Sequence, residues 1–155
     1  MHNDTSPYIL DQSLGHLASR FSRVILREIH TAFAAQSVPL ATEQWSVLVY
    51  IMHHDGEPQG TLCEALSREK TAVARLVATL ERQGYIMRQQ CKSDGREKTL
   101  HLTPAGVTLM KQATEIVQKI LNNATRNIPP SDLDTCRRVL KKAWGNLTGA
   151  DGASL

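Results

Sequence analysis

Aromatic side chains are scarce in this chain: two Trp, three Tyr and two Phe, about 5% of 155 residues. Aliphatic side chains must therefore fill most of any core. Cysteine is equally sparse. Cys63, Cys91 and Cys136 are widely spaced and form no C-x-x-C pair, which argues against a disulfide scaffold or a zinc ribbon and for a reducing compartment. No apolar run approaches the roughly 18 residues of a membrane span. The N-terminal MHNDTSPY lacks the charged and apolar regions of a secretion signal. The expectation is a cytoplasmic protein with no membrane partner. The signatures of common enzymes are missing as well. There is no glycine-rich phosphate loop, no G-x-S-x-G, no H-E-x-x-H and no paired carboxylate set, so no enzyme class and no cofactor are expected. With no internal repeat, low-complexity tract or long linker, residues 1–155 read as a single chain with one domain.

What the chain does have is an uneven charge. Residues 1–60 hold 3 basic and 6 acidic side chains, residues 61–100 hold 8 and 5, and residues 101–155 hold 7 and 4. The overall charge of +3 is modest, and it matters only if the basic groups share one surface.

Apolar spacing supplies the elements. Leu10, Leu14, Leu17, Phe21, Val24, Ile25 and Ile29 recur every three or four residues and predict a long amphipathic helix over 9–35. Thr42 is the predicted cap of a second helix with Trp45, Leu48, Val49 and Met52 on one face. After the turn-rich HHDGEPQG comes a short helix over 61–66. Ser67 offers a cap, and a helix from about 70 to 83 carries Val73, Leu76, Val77 and Leu80 at core spacing, with Gly84 closing it. Residues 85–87 and 99–102 predict two short strands joined by a tight turn at Asp94-Gly95. Thr103-Pro104 starts a helix with a stripe of Val107, Met110, Val117, Ile120 and Leu121. Ser131 and Asp134 resemble a capping box for a last helix carrying Leu133, Cys136, Leu140, Ala143, Trp144 and Leu147.

Short helix, turn, second helix and hairpin is the order of a winged helix-turn-helix, and it fits 42–102. On the 70–83 helix the outward side of the first turns is Lys70, Thr71, Ala74 and Arg75, with Arg68 just before. Arg can grip a guanine edge with two hydrogen bonds, Thr and Ala can meet a thymine methyl, and Lys can meet phosphate. The hairpin tip offers Arg96 as a minor-groove probe, with Lys92 and Ser93 toward phosphates. Asp94 would repel phosphate, so its expected role is to hold Arg96 or to accept hydrogen bonds from the turn backbone. A protein-binding winged helix should instead expose apolar groups on the 68–75 face.

The stretches LSREKTAVARLVATLERQGYI and SDGREKTLHLTPAG resemble the MarR family of winged-helix transcriptional regulators, a likeness that runs through nearly the whole chain. It implies a mainly α fold of six helices with a small β-hairpin wing, assembled as an intertwined homodimer. The 9–35 and 104–147 helices would form the dimer interface, and 42–102 the DNA-binding region. The resemblance makes Arg75 the main base reader and Arg96 the minor-groove residue, and it puts Thr61 and Ser67 near phosphates. The sequence agrees on the dimer, because the small central unit has too little surface to cover three amphipathic helices. Double-stranded DNA is the expected partner.

Many members of that family release DNA when an aromatic or phenolic compound binds between the dimer helices and the winged core. His16, His30, Trp45 and Met52 are the candidate lining residues, although Trp45 and Met52 also fit plain core. Redox sensing through Cys91, beside Lys92, or through Cys63 is an alternative. So is metal sensing through His53, His54, Asp55 and Glu57, although adjacent helical histidines point apart.

Overall fold

A computed structural model describes residues 9–66, 68–91 and 98–149. Its elements run α1 (Leu14–Ala35), α2 (Thr42–His53), α3 (Gln59–Ala65), α4 (Lys70–Arg82), β1 (Ile86–Gln90), β2 (Lys98–Leu102), α5 (Pro104–Ala124) and α6 (Pro130–Thr148). A single turn of 3-10 helix, Leu10–Gln12, precedes α1. The long helix expected over 9–35 thus breaks at Ser13, whose hydroxyl accepts from the His16 amide and caps α1.

Helix α2 is the hub, packed against α1, α3, α4, α5 and β2. Val47, Leu48 and Ile51 are almost wholly inaccessible and meet Phe33 of α1, Leu62 of α3, Val73, Val77 and Leu80 of α4, and Met110 and Ala113 of α5. The core-facing side differs from the one expected: Trp45 and Val49 are half-buried and Met52 is exposed, while Gln44 is buried. Every residue from Val47 to Met52 is apolar or aromatic, so spacing alone does not choose the face of α2. Gln44 is tolerated inside because its side chain is bonded at both ends. Its Oε1 accepts from the Ala41 amide at 2.9 Å, and its Nε2 reaches Gln83 Oε1 at 3.4 Å. That first contact also corrects the expected cap. Ala41, not Thr42, occupies the N-cap position, and its amide is satisfied by Gln44 reaching back.

Two further caps differ. Helix α6 begins at Pro130 with Pro129 as its N-cap, so Ser131 lies inside the first turn and no capping box forms. Asp134 pairs with Arg137 at 2.6 Å instead. Helix α4 has Glu69 at its N-cap position, and Ser67 lies outside the described residues.

The strands are longer than expected and pair antiparallel, Ile86 opposite Leu102 through Gln90 opposite Lys98. Their base is locked to α5. Gly84, at φ 79°, turns the chain out of α4. The Thr103 hydroxyl donates to the Gly84 carbonyl at 2.6 Å and accepts from the Gly106 amide at 3.0 Å, which caps α5 as expected.

Candidate nucleic-acid interface

Helix α4 divides cleanly into two faces. Val73, Val77 and Leu80 have no accessible surface, which fixes the roll of the helix. Lys70, Thr71, Ala74 and Arg75 are all exposed on the other side, and Arg68 is exposed in the turn before them. The Arg68 amide donates to the Cys63 carbonyl at 3.1 Å and ties this turn to the end of α3. Among the described residues, Arg68, Lys70 and Arg75 form no ion pair. Thr61 is exposed on α3, its hydroxyl donating to the Pro58 carbonyl at 2.7 Å. The sequence-predicted set Thr61, Arg68, Lys70, Thr71, Ala74 and Arg75 is therefore solvent-facing throughout. Ser67, Lys92, Ser93, Asp94 and Arg96 lie outside the described residues.

The wing strands are fastened to α4 by an ion pair, Arg88 of β1 to Glu81 at 2.9 Å. They also carry a third edge that the residue pattern did not reveal. The segment between α2 and α3 lies alongside β2. The Gly56 amide donates to the Leu100 carbonyl at 3.0 Å, the Leu100 amide donates to the Glu57 carbonyl at 3.1 Å, and Pro58 bridges Thr99. Such backbone bonds leave no side-chain signal. Tyr50 of α2 holds the same segment. Its hydroxyl donates to Glu57 Oε2 at 2.7 Å, and its ring stacks on His54 at 4.2 Å. Burial raises the Tyr50 phenol above its ordinary range; a Thr61 hydrogen bond opposes the rise, while the Glu57 bond and the Glu57 and Glu64 carboxylates add to it.

A second surface is apolar. Leu14, Leu17, Phe21 and Val24 of α1, Leu121 of α5 and Val139, Leu140 and Leu147 of α6 are exposed, and no residue of α6 is buried. Phe21 is 55% accessible and Leu147 89%, an unusual load of bare hydrophobic surface for one chain.

Of the candidate effector-lining residues, His16 and Trp45 are half-buried, and His30 and Met52 are exposed. The exposure of Met52 removes its reading as plain core. Among the described residues, the enclosed Trp45 indole N–H has no hydrogen-bond partner. Cys63 is buried, Cys91 half-buried and Cys136 exposed. Among the described residues, no three His, Cys, Asp or Glu side chains stand together as a metal site would require. No helix of the described residues is long and apolar enough to cross a membrane.

A helix with an exposed cationic face, packed on α2 and α3 and followed by an antiparallel hairpin, defines a winged helix-turn-helix. The model of the MarR family matches residues 40–98 of this chain. A proposed transcriptional regulatory protein for the hcr operon of Thauera aromatica is 24% identical over 100 residues, 64% of this chain. The match spans 60% of that relative's length. Among solved structures, CouR from Rhodococcus jostii bound to p-coumaroyl-CoA superposes with a TM-score of 0.78 at 22% identity, covering 88% of this chain and 95% of CouR. The transcriptional repressor CouR bound to a 23-mer DNA duplex gives 0.77 at 22% identity, covering 86% and 94%. At these identities the structural likeness establishes the fold.

Proposed function

We propose that the chain is a homodimeric, sequence-specific DNA-binding regulator that represses transcription and leaves its operator when a small aromatic ligand binds. The observation that carries this reading is the two-faced α4, with Val73, Val77 and Leu80 sealed inside and Lys70, Thr71, Ala74 and Arg75 presented outward. In this reading α4 enters a major groove, Arg75 reads a base edge, and Arg68, Lys70, Thr61 and Ser67 meet phosphates. Arg96 at the hairpin tip enters the neighbouring minor groove, flanked by Lys92, Ser93 and Asp94.

The exposed apolar rows on α1, α5 and α6 support a second copy as their cover. A two-fold pair would bury them and set two α4 helices for half-sites about one helical turn apart, ~10 bp. Residues 42–102 are then the DNA-binding part and the terminal helices the dimerisation part. For the effector, the indole N–H of Trp45 is the best supported anchor, since a buried donor without a partner among the described residues favours a ligand that accepts from it. His16, His30 and Met52 complete the candidate set. The aromatic acyl group bound by CouR has the chemistry such a site would take.

Titration of labelled duplexes at several salt concentrations tests the reading. Tight binding whose logarithm falls linearly with log salt, by a slope that drops by about 1 in Lys70→Ala, is expected. Absence of duplex binding at low salt, or a solution mass of one chain at all concentrations, overturns it.

A further inference from the structure

We infer that Asp55 and His101 form a latch that holds the wing against the helix-turn-helix and so acts as a positioning pair for the DNA interface. The inference rests on the DNA-binding reading above. Its geometry is specific. His101 Nδ1 lies 3.1 Å from Asp55 Oδ1, and His101 Nε2 lies 2.9 Å from Thr99 Oγ1. The Thr99 hydroxyl is also 3.3 Å from the Gln89 carbonyl of β1. One relay of side chains therefore runs from the α2–α3 segment, across β2, to β1. A carboxylate only accepts, so Nδ1 carries the proton toward Asp55.

The backbone contact between this segment and β2 is short, a single bridge at Pro58 and Thr99 with two amide bonds beside it. The imidazole closes the end of this contact opposite Pro58. Gly56 makes room. Its φ of 81° bends the segment, and a Cβ there would stand 3.3 Å from His101 Cε1. The segment continues directly into α3, and β2 continues the hairpin, so the pair joins the two parts of the chain proposed to touch DNA. The Asp55 side chain is 65% accessible, and a polar contact so exposed contributes little to folding. Its consequence should appear in DNA affinity rather than in stability.

The test compares wild type, Asp55→Ala, Asp55→Asn, His101→Leu and the Asp55→Ala, His101→Leu double variant. The readouts are affinity for a duplex selected in vitro and thermal midpoint. Asp55→Ala and His101→Leu are each expected to weaken binding roughly three- to tenfold, with no further loss in the double variant. Asp55→Asn, whose amide oxygen still accepts from Nδ1, should bind within about twofold of wild type. The midpoint of Asp55→Ala should stay within about 2 °C. Unchanged affinity in Asp55→Ala while wild type binds normally overturns the latch alone, as does an affinity loss that tracks a fall in midpoint. If wild type binds no duplex, the DNA reading fails and takes the latch with it.

Discussion

Replacing Gly106 by alanine sets a methyl group against rigid backbone. The added carbon would stand 2.0 Å from the Tyr85 carbonyl oxygen and 2.9 Å from its carbonyl carbon. Neither side yields easily. The Tyr85 oxygen already accepts from the Thr103 amide at 3.1 Å, and the Tyr85 amide donates to the Leu80 carbonyl at 3.0 Å. Relief requires the first turn of α5 to move away from the base of β1 by more than 1 Å, roughly the shortfall from ordinary contact. That motion strains the Thr103 amide bond and the two bonds of the Thr103 hydroxyl, each worth about 1 kcal/mol. With an overpacking cost of about 1–3 kcal/mol, the expected loss is up to about 4–6 kcal/mol if all three bonds break. The thermal midpoint should fall by roughly 10 °C, measured by circular dichroism at matched chain concentration because self-association would make the midpoint depend on it. A midpoint within about 2 °C of wild type would refute the claim that this joint is rigid.

Other perturbations follow from the same contacts. Leu80→Ala should destabilise by about 2–5 kcal/mol in denaturant titration, since the side chain is fully enclosed beneath the outward cationic face. Phe21→Asp with Leu140→Asp should shift the sedimentation mass toward the 17.2 kDa single chain by placing carboxylates on the exposed apolar rows. A phenolic effector should quench Trp45 fluorescence and weaken duplex binding, and Trp45→Phe should remove the quench. In an ultraviolet titration, Tyr50 should ionise above the ordinary value of 10.0, and Tyr50→Phe should abolish that late component. A proton held more tightly in the folded state makes stability fall as pH rises above about 10, and this variant should lose that dependence.

The parts of the fold legible in the residues were those where polar and apolar groups alternate sharply. Helix α4 is the clearest case: Val73, Val77 and Leu80 stand among Lys, Thr and Arg, so spacing fixed both its roll and its outward face. Thr103-Pro104 and Gly84 were equally readable, because a cap and a left-handed residue answer to local geometry. Helix α2 was not, since Trp, Val, Leu, Ile and Met fill both of its sides and the buried Gln44 reads as a surface residue. The small residues Gly106 and Ala113 are buried in α5 for their lack of bulk, which an apolar stripe does not register. The third edge of the sheet and the Asp55–His101 contact depend on residues 41 to 46 positions apart, beyond any local pattern. The apolar rows of α1 and α6 were legible as more surface than one small core covers, and no residue of α6 is buried.

Selection of bound duplexes from a random-sequence pool, run in parallel with wild type and Arg75→Ala, addresses the central claim most directly. Wild type is expected to enrich a two-fold symmetric motif with half-sites ~10 bp apart, and Arg75→Ala to lose preference at one position per half-site at a cost of ~1–3 kcal/mol. No enriched motif, or the same motif with unchanged preference in Arg75→Ala, would contradict it.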